Sequence, residues 1–256
     1  MVIDFHYHTL LWKNCPFYLD FFMKTIASVK KQKIDAIAIT DHYNAKHFED
    51  IYRKLDENYP YNGECYIVEG VRVFPGVELS IHEHGHIIAI GEKNDVLELR
   101  NTLYYPSHIK KKPSLMRVTD EIEKRGMLGI WAHPIRRGNP LGRIDLNTAK
   151  RLKFMDFNGK DLKKAKEMKR FEEETGLIAV SGSDTHHPFQ AGVVKTILFD
   201  ECNTLNDIVD CISKENFVIK VHLFGRIKCY IARRLKRLWK RRLRKRMERE
   251  ALVREE

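Results

Sequence analysis

Apolar and polar positions alternate in blocks along most of the chain, and the spacing within each block names the element. Val2–His6 reads as a short strand that turns polar at its end, and Ile34–Thr40 as a buried strand with an Ile-Ala-Ile-Ala core. Val71–Val77, His86–Ile90, Leu128–Trp131, Phe154–Phe157, Leu177–Ser181 and Thr196–Phe199 are further strand candidates. Helical spacing covers Tyr18–Lys31, where Phe21, Phe22, Ile26 and Val29 share a face, and recurs in Lys46–Glu57 and Leu115–Arg125. It returns in Leu146–Lys153, Lys160–Thr175 and Leu205–Glu215, with Gly126 and Gly176 placed as helix stops. This alternation predicts an α/β fold with a mainly parallel sheet. Residues 101–114, with two prolines and a Lys-Lys-Lys run, read as a loop.

Several apolar strands lead into His, Asp or Glu. Phe5 is followed by His6-Tyr7-His8, Thr40 by Asp41-His42, and Val77 by Glu78. Ala132 leads to His133-Pro134, and Ser183 to Asp184-Thr185-His186. Strand carboxyl ends converge on one face of a parallel barrel. There imidazoles and carboxylates form a cage for divalent metals. His6 and His8 share a face of an extended strand, as do Asp184 and His186. A single His-x-His or Asp-His pair is unremarkable on a protein surface. Five such groups, each after an apolar strand, point to a metal site that binds phosphate and activates water.

These segments resemble the PHP family, named for polymerase and histidinol phosphatase domains. The resemblance spans residues 2–199 and is carried by six stretches: Asp-Phe-His6-Tyr-His8-Thr, Ile-Thr-Asp41-His42, Pro-Gly-Val-Glu78-Leu-Ser, His86-Ile-Ile-Ala-Ile-Gly, Ala-His133-Pro and Gly-Ser-Asp184-Thr-His186. It implies a distorted seven-stranded β/α barrel that hydrolyses phosphate esters with two or three divalent metals, commonly zinc, manganese or iron. It places His6, His8, Glu78 and Asp184 on a first metal, with Glu78 bridging to a second held by His86 and His133. His42 and His186 fall to a third. His133, Asp184 and Arg136 are the expected catalytic group, Arg136 or Arg137 as a phosphate contact. Within His82-Glu83-His84-Gly85-His86 the ligand is taken as His86, because it enters a strand; His82 and His84 are assigned to the preceding loop. His108, His187 and His222 have no comparable support. One position departs from the family pattern: Lys13 stands where a carboxylate is usual, which sets the third metal against a resident cation.

Charge divides the chain of 256 residues. Residues 226–256 hold 14 Lys/Arg and 4 Asp/Glu, while the other 225 hold 32 and 31, so nearly all of the net +11 is in the tail. A boundary near Phe224–Gly225 therefore separates a barrel (1–224) from a basic amphipathic helix (225–256). Ile231, Leu235, Leu238 or Trp239, Leu243 and Met247 form its apolar stripe. Nucleic-acid phosphates are the favoured partner, an anionic membrane surface the second, and docking on the barrel the third. Deleting the tail is expected to spare turnover of a small ester, because every expected ligand lies at or before His186. Five scattered cysteines, no signal segment and no spanning apolar run suggest a cytoplasmic setting. The predicted activity is metal-dependent hydrolysis of a phosphate ester on a nucleotide or nucleic-acid end. A small-molecule monoester phosphatase, a non-catalytic metal-containing nucleic-acid-binding module and an amidohydrolase stay open.

Overall fold

A computed structural model describes residues 1–104, 112–136, 140 and 142–255, with side chains through Glu248. The strands are β1 (Val2–Tyr7), β2 (Ala36–Ile39), β3 (Tyr66–Val68), β4 (Val71–Ser80) and β5 (His86–Ile90). After them come β6 (Leu128–Ala132), β7 (Phe154–Asn158), β8 (Ile178–Gly182), β9 (Val194–Leu198) and β10 (Phe217–Val221). The α-helices are α1 (Leu19–Lys31), α2 (Phe48–Asn58), α3 (Lys93–Tyr104), α4 (Leu115–Lys124), α5 (Leu146–Arg151), α6 (Ala165–Thr175), α7 (Leu205–Ser213) and α8 (Gly225–Glu255).

One sheet runs in the order β10-β9-β1-β2-β4-β5-β6-β7-β8, with β3 attached to β4. Its far end returns to β1: Tyr7 and Thr185 form a parallel bridge, and Asp184 N donates to His6 O at 2.9 Å. Strands β1, β2 and β4 to β8 thus make a nearly closed ring, and β9 and β10 extend past it. The path holds nine strands where seven were expected. The sheet is also mixed rather than mainly parallel. β1–β2, β2–β4, β6–β7 and β7–β8 are parallel, but β4–β5, β5–β6, β1–β9 and β9–β10 are antiparallel. The turn at residues 81–85 between β4 and β5 is too short for a parallel crossover, so β5 must reverse.

The reversal matters for the site. His86 is the first residue of β5, yet it pairs with Ser80 and Ala132 at the ends of β4 and β6. A second irregularity lies in β1, whose register against β2 shifts between Asp4 and Tyr7. Ile3 and Phe5 join one apolar cluster with Phe74, Ile88, Ile130 and Val180, whereas Tyr7 joins the other, which α1 and α2 cover. The extra residue lets His6 and His8 follow Phe5 onto the site side.

Most elements follow the sequence reading, with three informative differences. The segment read as a loop at 101–114 is helical through Tyr104, because Val96, Leu99 and Leu103 bury one face of α3; residues 105–111 lie outside the described part. The helix expected from Lys160 starts only at Ala165, after a 3-10 turn at Leu162–Lys164. Lys160 and Asp161 are thereby freed to turn toward the site. Strands β3 and β10, which the apolar pattern did not single out, are a three-residue strand on β4 and a half-exposed edge. Among the described residues no helix is long and apolar enough to cross a membrane.

Candidate metal centre

The polar strand ends converge. Three groups of donors lie within 4.8 Å of one another: His6, His8 and Asp184; Glu78, His86 and His133; and His8, His42 and His186. Every residue expected as a ligand is in one of them. Glu78 is the hub. Its Oε1 is 2.8 Å from His86 Nδ1 and 3.0 Å from His133 Nε2. Its Oε2 is 2.7 Å from His42 Nδ1, 3.4 Å from His8 Nε2 and 3.8 Å from His6 Nε2. The two oxygens therefore face different imidazoles, as a bridge requires. His8, rather than Glu78 or Asp184, completes the group of His42 and His186. His82 and His84 are exposed and belong to none of the three groups.

The local backbone is bent to make this possible. His133 and Asp184 both have positive φ, 35° and 51°, a conformation that costs on the order of 1–3 kcal/mol for residues with a Cβ. The Asp184 cost is offset by its N–H bond to His6 O, which closes the ring.

Burial and charge oppose each other here. Burial favours neutral carboxyls, yet His42 and His133 hold Glu78 well below the usual range, and Lys160 and His6 do the same for Asp184. His6 is driven down by burial but up more strongly by Asp184, Asp156 and Glu78, to about 10. Burial, with the charge of His42, takes His8 down to about 3. The centre thus combines anionic carboxylates with imidazoles stripped of water.

Sequence reasoning missed the residues that hold this arrangement. Asp156 Oδ2 accepts from His6 Nδ1 at 2.7 Å and from Asn158 Nδ2 at 2.9 Å, fixing the tautomer that turns His6 Nε2 into the centre. Its other oxygen accepts from His133 N. Asp156 and Asn158 do end an apolar strand, so the signal was present in Phe154-Met155-Asp156. Lys160 Nζ donates to Asp184 Oδ1 at 2.6 Å and lies 3.3 Å from His186 Nδ1. Arg136 is tied to Asp184 Oδ2 at 2.8 Å, Asp161 Oδ2 at 2.9 Å and Asn158 Oδ1 at 2.6 Å. It also lines a cleft of about 100 Å³ beside His86 and His133, with Arg143. Arg137 and His108 lie outside the described residues. Asp41 accepts from Thr9 N, Thr9 Oγ1 and Leu10 N, so it holds the loop after β1. Lys13 is exposed, and its carbonyl accepts from Lys46 N. Among the described residues, Lys160 is the cation that meets His186 at hydrogen-bond range.

The tail helix borders this centre. Cys229 Sγ lies 3.2 Å from Gly159 O, Trp239 packs on Phe21 at 5.2 Å, and Lys240 sits 5.4 Å over the Trp12 ring. Lys236 lies on the same face between these contacts. It is half-buried, and burial together with Lys160 pushes its ammonium down to about 7.

No family model matches the sequence, and no curated protein does. Solved structures share the fold. PsfC from Pseudomonas syringae superposes with a TM-score of 0.77 at 19% identity, over 93% of this chain and 98% of its own. A two-domain protein from Bacteroides vulgatus containing a PHP-like metal-dependent phosphoesterase gives 0.57 at 16% identity, over 87% of this chain and 65% of that one. This chain has the PHP-like fold. A third protein with likeness to this PHP-like chain is PfuEndoQ, a lesion-specific endonuclease from Pyrococcus furiosus. It gives 0.63 at 16% identity, over 86% of this chain and 58% of its own length. Endonuclease Q is also known in complex with a 27-mer duplex substrate carrying an abasic lesion at the active site.

The residues fit divalent metals. Glu78 Oε2 is buried among imidazole nitrogens, with His42 Nδ1 at 2.7 Å, His8 Nε2 at 3.4 Å and His6 Nε2 at 3.8 Å. His6 Nε2 and His8 Nε2 face each other at 3.1 Å, an approach that a shared cation explains. Imidazole and carboxylate donors together suit divalent metal ions.

Proposed function

We propose that this chain is a metal-dependent phosphoesterase acting on a nucleotide or nucleic-acid end. The observation that carries the reading is the Glu78 carboxylate, with one oxygen toward His86 and His133 and the other toward His6, His8 and His42. His6, His8, Asp184, Glu78, His86, His133, His42 and His186 would hold two or three divalent ions. Such ions supply Lewis acidity and positive charge for attack of water on phosphorus.

The chain's own groups do the rest. Asp156 orients His6, and Lys160 and Arg136 hold Asp184. Asp184 is kept strongly anionic, which suits a ligand better than a general base. Arg136 uses three of its N–H groups within the protein, which leaves two for a phosphoryl oxygen in the cleft it lines. Arg143, in the same cleft, adds a second cation. The Endonuclease Q likeness supports a nucleic-acid phosphate as substrate. The small cleft beside His86 and His133 favours a second reading, a small phosphate monoester.

The test is reconstitution with Mn²⁺ or Zn²⁺, metal analysis, and a panel of monoesters, dinucleotides and single-stranded nucleic acid. About two equivalents of metal or more, with turnover abolished by chelation, is expected. No bound metal and chelator-insensitive turnover would overturn the proposal.

A further inference from the structure

The basic residues of α8 do not all point evenly into solvent. Between the start of this helix and residues 159–164 runs a groove of about 720 Å³. Lys163, Arg226 and Arg233 line it and are exposed. The one acid in its lining, Asp161, is already paired with Arg136 at 2.9 Å. Among these cations stand two rings, Phe224 and Tyr230, each 57% exposed. Large apolar side chains left in water beside a concave basic lining mark a binding surface. Lys160 also lines the groove, and its ammonium is 2.6 Å from Asp184 Oδ1 and 3.3 Å from His186 Nδ1. Lys160 is therefore shared by the groove and the candidate metal centre.

We propose that this groove binds a single-stranded nucleic-acid segment and leads its terminal phosphate to the metal centre; this rests on the phosphoesterase reading above. Interleaved rings and cations are what an unpaired strand needs. Bases stack on aromatic faces while the backbone phosphates meet Lys and Arg. A duplex keeps its bases stacked on each other, so Phe224 and Tyr230 would gain nothing from it. A bilayer meets a convex face and cannot follow a concave channel to Lys160. The rest of α8 adds exposed arginines beyond the groove, which extends the electrostatic attraction without base contacts.

The experiment uses the full chain and two double variants, Arg226→Glu with Arg233→Glu and Phe224→Ala with Tyr230→Ala. The probe is a labelled, 5′-phosphorylated oligo-dT of about ten nucleotides, within the site sizes that single-strand binders cover. Thermal unfolding and metal content check each variant for intact folding. Both variants should bind the probe at least about tenfold more weakly, the effect of losing one stacked base or a comparable charge contact. The parent protein should prefer this probe to its duplex. Equal binding of duplex, or undiminished binding by the aromatic variant, would overturn the proposal. So would retention on phosphatidylserine vesicles that excess oligo-dT does not reverse. Turnover of a small ester by the parent protein tests the phosphoesterase reading separately. If it fails while the variants still lose oligo-dT binding, the groove stands and that reading falls.

Discussion

Gly182 has no side chain because the Asp156 carboxylate fills the space: an added Cβ would lie 2.5 Å from Asp156 Oδ2. That carboxylate is what turns His6 toward the centre. Gly182→Ala should displace it, and Asp156→Ala should remove it. Both are expected to weaken metal affinity by about 10–100-fold, the usual cost of losing the group that orients a metal-binding histidine. Calorimetric titration with Zn²⁺ measures this, and affinity unchanged in both variants would refute the link from Gly182 to His6. Glu78 offers a sharper contrast. Glu78→Gln replaces two anionic oxygens with one neutral carbonyl and should reduce bound metal more than His82→Ala or His84→Ala. Both of those histidines are exposed. Metal analysis showing that His84→Ala loses metal while His86→Ala keeps it would reassign the ligand in this run.

At the scale of elements, α8 differs most from its sequence reading. Ala232 and Leu243 are buried at 1% and 6% exposure, while Leu238, on the other side, is 50% exposed. Trp239 takes the docked position, packed against Phe21 with the rings tilted by 56° and covered by Lys24 at 4.5 Å. Lys228 Nζ donates to Ala191 O at 2.6 Å, just after the segment that carries His186. Loss of residues 226–256 would therefore uncover apolar surface and remove Lys236 from the rim of the centre. Truncation is now expected to lower both the melting temperature and turnover of a small ester, where the position of every expected ligand at or before His186 suggested that turnover would survive. Trp239→Ala should cost about 2–3 kcal/mol, less than at a fully buried site. Denaturant unfolding can measure it. A truncated chain with undiminished stability and turnover would show that the helix is an appendage.

The whole molecule is a nearly neutral barrel with a strongly cationic helix along one side. Of the net +11, the residues from Arg226 onward supply +10. Nucleic-acid binding should then fall steeply with salt, with log affinity declining linearly in log salt, because each neutralised phosphate releases counterions. Substrate binding at the barrel alone should show a much shallower slope. Titration of oligo-dT from low to physiological salt reads this directly. A flat profile would mean that α8 contributes packing and no phosphate contacts.

The apolar blocks of the sequence were enough to determine the α/β class and most strands and helices, because alternating burial restricts residue type locally. His6, His8, His42, Glu78, His133, Asp184 and His186 stood after apolar strands in the sequence, whereas His86 was implied only by the family resemblance. The tertiary structure decided what depends on neighbours distant in sequence. It reversed β5 so that His86 reaches the centre, and it shifted β1 so that His6 follows Phe5 inward. It brought Asp156 to His6 across 150 residues and Lys160 to Asp184 across 24. It also laid α8 on the barrel by Trp239 rather than Leu238. Strand direction, register and docking face are set by packing between elements, and a local pattern of apolar and polar residues fits more than one such packing.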